Sequence, residues 1–300
     1  MQELQNTEGL NTITDFIRWG ASRFVEAKLT YGHGLSSPLD ESAYLVLKTL
    51  HLPVDTPDVY WQSSLTSGEM TNVKAVITRR VEEKIPAAYI TKEGWFSGLQ
   101  FYVDERVLVP RSPIAEMVEN QFSPWVDPEL VENVLDLCTG SGCIGIACAY
   151  AFPQAQVDLS DVSVDALEVA NININQHDAS QRVTAIQSDI FNGLSGKTYD
   201  IIVSNPPYVD KEDMDALSEE FHHEPELGLS SGNDGLDITR TILKQASQYL
   251  ADNGILVLEV GNSQYALAEM FPLVPFQWIE FERGGDGVFI LTKEQLDEFF

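Results

Sequence analysis

The nine residues Asp200 to Tyr208, D-I-I-V-S-N-P-P-Y, constrain this chain more than any other stretch. Ile201, Ile202 and Val203 are β-branched and apolar, the mark of a strand buried on both faces. The strand has to stop at Ser204, because two prolines follow Asn205. Each proline fixes φ and lacks an N–H, so the neighbours are stiff and the carbonyls of Asn205 and Pro206 go unclaimed by a continuing helix or ladder. Tyr208 closes the segment with a flat face and a hydroxyl. In open α/β sheets ligands bind at the carboxyl edge, where this ledge lies. Its two acceptors, the Asn205 side-chain oxygen and the Pro206 carbonyl, suit the two hydrogens of a planar –NH2 group. The nitrogen lone pair is then left free, and Tyr208 can pack on the flat group that carries it. Such an arrangement serves attack by a weakly nucleophilic amine or amide on an electrophilic carbon. For N-P-P alone, a proline-stiffened loop without chemistry is the plain alternative; an aromatic in fourth place after a hydrophobic strand is more specific.

Strands and helices alternate from Asn133. Val134 to Leu137 reads as a buried strand. Cys138-Thr139-Gly140-Ser141-Gly142-Cys143-Ile144-Gly145 then turns into a small-residue helix from Ile146 to Ala151. The glycines let the backbone approach a ligand and set a helix N-terminus against it. Val157 to Asp161 is the second strand, with Asp161 placed at its end to accept both hydroxyls of a ribose. Ser163 can cap the next helix. Val183 to Gln187 is the third strand, followed by Ser188-Asp189-Ile190-Phe191, where Asp189 could reach an adenine amino group between apolar neighbours. The ledge strand is fourth. A long acidic connection runs on to about Gly235 through His222-His223-Glu224-Pro225, and such length is usually functional. The adjacent histidines are not read as a metal site, since neighbours seldom share one ion. A helix around Ile238 to Ala246, ended by Asn253-Gly254, leads to a fifth strand from Ile255 to Val260. Phe276–Phe281 and Val288–Leu291 read as a final antiparallel hairpin at the sheet edge. The expected catalytic fold is therefore α/β, a seven-stranded, mostly parallel sheet with an antiparallel edge strand.

Residues 1–86 read instead as a small helical domain for substrate recognition, with no acid–base pair evident. Thr12 and Asp15 form a candidate capping box, Ser37-Pro38 a cap and first turn, and Ser67 a third cap. His33 and His51 read as ordinary loop histidines. Residues 87–107 read as a β-hairpin linker, with strands at Ala88–Ile90 and Leu99–Val103 and a turn marked by Gly94 and Gly98. The catalytic domain spans 108–300 and opens on Val107-Leu108-Val109-Pro110-Arg111, where Arg111 is either a structural strut or part of the cleft.

Forty-six acids against 18 bases give a formal charge of −28. A general nucleic-acid binder needs a basic footprint, and this chain has little to spend on one. A basic macromolecular partner would be steered toward it, although acidity also serves solubility or habitat. No apolar run is long enough to span a membrane, and Met1 to Gly20 lacks the basic-then-apolar pattern of a signal peptide. A cytoplasmic protein is expected. Cys138, Cys143 and Cys148 follow no zinc spacing and read as small buried hydrophobes in a reducing compartment.

Gly140, Gly142 and Gly145 satisfy G-x-G-x-x-G, so a nicotinamide cofactor competes, and Asp161 would serve either reading. The acid at Asp136 ahead of the glycines, the S-D-I-F segment and the ledge tip the balance. Together they resemble a class I S-adenosylmethionine-dependent methyltransferase. The helical N-terminal region, V-L-V-P-R, D-L-C-T-G-S-G, N-P-P-Y, F-H-H-E-P-E-L and S-G-N-D-G-L extend the resemblance over nearly the whole chain, to the protein N5-glutamine methyltransferases. One branch of that family acts on peptide-chain release factors, another on a large-subunit ribosomal protein, the one numbered three. The release-factor branch follows its proline–arginine pair with proline, an acid, threonine and glutamate. Here Arg111 is followed by Ser112-Pro113-Ile114-Ala115-Glu116, which resembles the ribosomal branch.

The resemblance implies that Asn205 and Pro206 hold the glutamine carboxamide while Tyr208 packs on it. Pro207 and Arg111 would complete the substrate site. Asp136, Thr139, Gly140 and Gly142 would border the methionine part of S-adenosylmethionine, Asp161 the ribose and Asp189 the adenine, with Asn205 shared between cofactor and substrate. It implies no metal, no general nucleic-acid binding and a basic ribosomal protein as partner. Other readings kept open are release-factor methylation, an adenine N6-methyltransferase acting on nucleic acid, and a non-catalytic ribosome-assembly binder.

Overall fold

A computed structural model of the chain describes residues 8–32 and 34–300; His33 and the first seven residues of the segment read against a signal peptide lie outside it. The described chain packs as two units, one formed by residues up to Glu93 with Ser218–His223, the other by Gly94–Leu217 with Glu224–Phe300.

The first unit is helical: Ile13–Glu26, Pro38–Thr49, Ser67–Glu83 and Ala87–Thr91, with a 3-10 turn at Asp58–Gln62. Its core joins Phe16, Ile17, Phe24, Leu45, Leu47, Val73 and Ile77. Thr12 and Asp15 form the expected capping box, and Ser37 caps the second helix with Pro38 in its first turn. The third cap is Thr66, not Ser67. Three residues beyond Thr66 stands Glu69, which can bond back to the cap; three beyond Ser67 stands Met70, which cannot. The first two helices approach closely at Gly20, where a Cβ would lie 2.3 Å from Ser42 Oγ. That hydroxyl donates to the Ile17 carbonyl at 2.7 Å.

The hairpin differs from expectation. Ala88–Ile90 is part of a short helix, because Pro86 accepts from the amides of Tyr89 and Ile90 and the alanines favour the turn. Lys92, at φ 59°, stops it. The strands are β1, Gly94–Phe96, and β2, Leu99–Phe101. Ser97 and Gly98 both have positive φ, 49° and 73°, which is the two-residue turn whose twist matches the flanking strands.

The second unit carries one seven-stranded sheet: β3 Asn133–Leu137, β4 Gln156–Asp161, β5 Val183–Gln187, β6 Tyr199–Ser204, β7 Leu250–Glu259, β8 Gln277–Trp278 and β9 Val288–Thr292. The order is β5-β4-β3-β6-β7-β9-β8. The five strands from β5 to β7 are parallel, and β9 and β8 close the edge antiparallel. The chain winds outward from β3 to β5, then crosses back to β6, which makes the β3–β6 boundary the switch point where such sheets bind ligands. Two buried clusters cover the faces, one centred on Ile146, Val157 and Val203, the other on Leu135, Ile202 and Leu258.

Three expectations needed adjustment. The helix after the glycine loop begins at Cys143 rather than Ile146. Asn253-Gly254 does not end a helix but lies within β7, where the pairing with β6 is irregular between Tyr199 and Ile201. The predicted strand at 276–281 is shorter, Gln277–Trp278, with one further bond from the Ile279 amide to the Val288 carbonyl at 2.9 Å. The terminal helix Lys293–Phe299, capped by Thr292 with Gln295, was not anticipated.

Candidate active site

Sheet register brings the expected residues together. Leu137 is paired with Ser160 on one side and Ser204 on the other, Asp161 with Gln187, and Ser204 with Leu258. One residue further, the glycine loop, Asp161, Ser188-Asp189, Asn205 and Glu259 emerge in a row along the carboxyl edge.

The glycine loop is held from beneath. Asp136 is fully buried, and its Oδ2 accepts from Thr139 Oγ1 at 2.6 Å and the Gly145 amide at 2.8 Å. Its Oδ1 is buried without a partner. Burial pushes this carboxyl up to about 7. Asp136 thus organises the loop from inside, and its carboxylate does not face the open side of the ledge. Gly145 is obligatory: a Cβ would stand 2.1 Å from Leu159 Cδ2 and 2.9 Å from Asp136 Cβ. Gly145→Ala is expected to lower unfolding stability by about 1–3 kcal/mol, read by urea denaturation.

The upper side of the loop is open. Cys138, Gly140 and Gly142 take positive φ, and a Cβ on Gly140 would meet nothing within 4 Å. Gly142 caps the helix Cys143–Ala151. Asp161 Oδ2 accepts from the Gly140 amide and Oδ1 from the Ser163 amide, both at 2.9 Å, and burial raises its pKa. Asp189 is exposed. Asp136 feels the charge of Asp161, which adds to the rise that burial causes. All three acids act on Cys138, whose thiol burial drives far up, which fits an inert packing role.

On the ledge, Asn205 is partly exposed while Pro206 and Pro207 are buried. No described residue donates to the Asn205 carboxamide or the Pro206 carbonyl. Both acceptors are thus fixed by stiff backbone yet free. Tyr208 is anchored at several points. Its hydroxyl donates to Glu259 Oε1 at 3.0 Å, and its carbonyl accepts from Ser263 Oγ at 3.1 Å. A Cβ on Gly261 would be 2.5 Å from its ring. Burial, then the Glu259 charge, raises the tyrosine pKa, so the hydroxyl stays protonated.

Sequence reasoning missed the groups behind Tyr208. Glu259 is buried at the end of β7 and accepts from Ser112 Oγ at 2.5 Å as well as from Tyr208. An acid closing the otherwise apolar run I-L-V-L-E-V was the available signal. Arg111 pairs with Glu224, Nη1 to Oε1 at 2.6 Å and Nη2 to Oε2 at 2.8 Å, and its Nη1 also donates to the Val109 carbonyl at 3.2 Å. Glu224 also accepts from the Val109 amide at 3.0 Å. Burial raises the pKa of both Tyr208 and Glu259, and the Arg111 charge opposes that rise. The acidic connection packs on the chain just past the ledge: the amides of Val209 and Ser231 donate to Leu229 and Val209 carbonyls, and Gly235 fits against the Tyr208 carbonyl.

Comparison with known proteins agrees with this geometry. The Methyltransferase small domain family matches residues 122–233. A ribosomal protein uL3 glutamine methyltransferase of Francisella tularensis subsp. tularensis is 48% identical over 291 residues, 97% of this chain and 93% of the relative. One from Neisseria meningitidis serogroup B is 51% identical over 294 residues, 97% of this chain and 96% of its own. The chain belongs to this methyltransferase family. Among solved structures, the hMettl16 catalytic domain in complex with MAT2A 3′UTR hairpin 6 aligns with a TM-score of 0.50 at 15% identity, covering 76% of this chain and 81% of that one, a likeness of fold alone. The methyltransferase's glycine loop, with Asp136, Asp161 and Asp189 about it, fits a cationic sulfonium cofactor better than a pyrophosphate. No helix among the described residues is long and apolar enough to cross a membrane.

Proposed function

We propose that this methyltransferase moves a methyl group from S-adenosylmethionine to the side-chain amide nitrogen of a glutamine in ribosomal protein uL3. The observation that carries the reading is the pair of free, rigid acceptors at Asn205 and Pro206, one strand from an open glycine loop. The activity for which the relatives at 48% and 51% identity are named supports the substrate.

Gly140 and Gly142 give backbone room for the methionine part, Asp161 stands for the ribose and exposed Asp189 for the adenine amino group. When bound, S-adenosylmethionine supplies an electrophilic methyl on a positively charged sulfur. The chain's residues do the rest. Asn205 Oδ1 and the Pro206 carbonyl accept the two amide hydrogens and hold the nitrogen in one orientation, with buried Pro207 stiffening the shelf. Tyr208, fixed through Glu259, walls the flat carboxamide. The methyl would pass from that sulfur, which would leave as the neutral thioether, to the amide nitrogen held by these residues, and the nitrogen would gain positive charge before losing a proton. The two acceptors favour that charge, so their help is greatest in the transition state. An amide nitrogen is a weak nucleophile, and positioning supplies much of the acceleration. Glu259 is held on the Tyr208 hydroxyl and on Ser112, and no described residue bonds to the Asn205 carboxamide, so the proton is lost after transfer.

We take the helical region as the part that recognises the substrate. A ribosomal protein binds RNA phosphates and is therefore rich in lysine and arginine, which the −28 charge of this chain would steer toward it. Such an enzyme works in the cytoplasm. Mass spectrometry of ribosomal proteins and release factors from cells with and without this chain tests the reading. One glutamine of uL3 should lose one methyl group in the deleted strain. A methyl lost from a release factor instead, with uL3 unchanged, would overturn it.

A further inference from the structure

The first unit holds a cavity of about 590 Å³ that the chemistry does not use. Ile13, Leu50, Leu52 and Leu65 give it an apolar floor, and Asp55, Tyr60 and Glu69 stand at its lining. Beside it, Val54, Val59 and Tyr60 are 48%, 76% and 58% exposed. Large apolar side chains gathered around a cavity mark a surface that another molecule covers. The segment that bears them is well built. Thr56 Oγ1 donates to the Pro53 carbonyl at 2.6 Å, and Trp61 Nε1 to the Thr56 carbonyl at 3.0 Å. The patch is therefore presented on a fixed frame, at low ordering cost to a ligand.

Charge identifies the occupant. Asp55 and Asp58 are exposed acids, and Glu69, at the cavity lining, keeps a lowered pKa through the backbone amide of Thr66, then its hydroxyl. No lysine or arginine lines the cavity. A second copy of a chain of charge −28 would be repelled, as would nucleic acid or an anionic membrane. We infer that the cavity docks a segment of the substrate protein in which an apolar side chain is flanked by lysine or arginine. This rests on the proposed ribosomal-protein substrate and adds a contact separate from the glutamine being modified. Seating one such apolar side chain is worth about 10- to 100-fold in affinity.

The test is the variant Asp55→Lys/Asp58→Lys/Val59→Lys. All three side chains are exposed and free of hydrogen bonds among the described residues, so the fold is undisturbed. KM and kcat are measured with intact uL3 and with a short peptide around the target glutamine. The expected result is a KM for intact uL3 raised about 10- to 100-fold, with kcat at saturation and all peptide kinetics unchanged. The parental KM should also rise with salt, and the variant's far less. An unchanged KM for intact uL3, beside normal turnover by the parent, would overturn the docking site and leave the proposed function standing. A parent that methylates neither intact uL3 nor the peptide would overturn the function, and this inference with it.

Discussion

Asn205→Ala should lower kcat by about 10²- to 10³-fold while cofactor affinity stays within a few-fold, the size expected for removing one preorganised transition-state contact. The reason lies in how Asn205 is held. It follows Ser204, whose hydroxyl donates to the Leu137 carbonyl at 2.5 Å and locks β6 to β3 at their ends. It precedes two buried prolines that forbid the backbone from relaxing. Its carboxamide makes no bond within the described protein, so alanine costs the fold little and the reaction much. Asn205→Asp keeps acceptors but adds a charge, and should be impaired as well. Steady-state kinetics with uL3 and calorimetric titration of S-adenosylmethionine read the two effects separately. Near-parental kcat in the alanine variant would end the ledge mechanism. A large loss of cofactor affinity with kcat intact would move Asn205 wholly to the cofactor side.

The second large effect is on stability. Arg80, on the helix Ser67–Glu83, is 0% exposed. Its Nε donates to Glu41 Oε1 at 2.7 Å and its Nη2 to the Thr30 carbonyl at 3.2 Å, while Nη1 lies 3.6 Å from Glu220 Oε1. Glu220 also accepts from the Thr30 amide at 2.8 Å. One arginine therefore neutralises two buried carboxylates from distant parts of the chain. Arg80→Met is expected to cost about 3–5 kcal/mol, because it removes the cation that faces two buried carboxylates. The same argument says the ion cluster itself is not a large net gain. Adding Glu41→Leu and Glu220→Leu should return most of the loss, since an apolar trio of similar volume pays no desolvation penalty. Urea unfolding of the single and triple variants measures both. A loss under about 1 kcal/mol for Arg80→Met would mean the carboxylates reach water or other partners.

That cluster shows where sequence reasoning stops. Glu220 sits in the long acidic connection that reads as functional by its length, and nothing nearby in the chain names Arg80 as its partner. Glu259 and Ser112 behind Tyr208 are 147 residues apart and meet only because β7 ends beside the segment that follows Arg111. Arg111 itself, bracketed by prolines, read equally as strut or cleft, and nothing near it in the chain names Glu224 as the partner of its fork of bonds. Local signals did better. The box at Thr12, the cap at Ser37, the glycine loop, Asp161 at the end of β4 and the N-P-P-Y segment each depend on a few adjacent residues, and each was legible. The errors at Ala88–Ile90 and Asn253-Gly254 came from segments short enough for their neighbours to overrule propensity.

By itself the sequence determined the parallel strands, the open glycine turn and the shelf with its two unclaimed acceptors, because strand burial, glycine φ and proline stiffness act within a few residues. Tertiary structure alone decided that Asp136 faces inward, that Glu259 steadies Tyr208 and that Arg80 binds two anions. Those outcomes depend on which buried polar groups meet across the fold, and a buried charge takes whatever partner the packing brings to it.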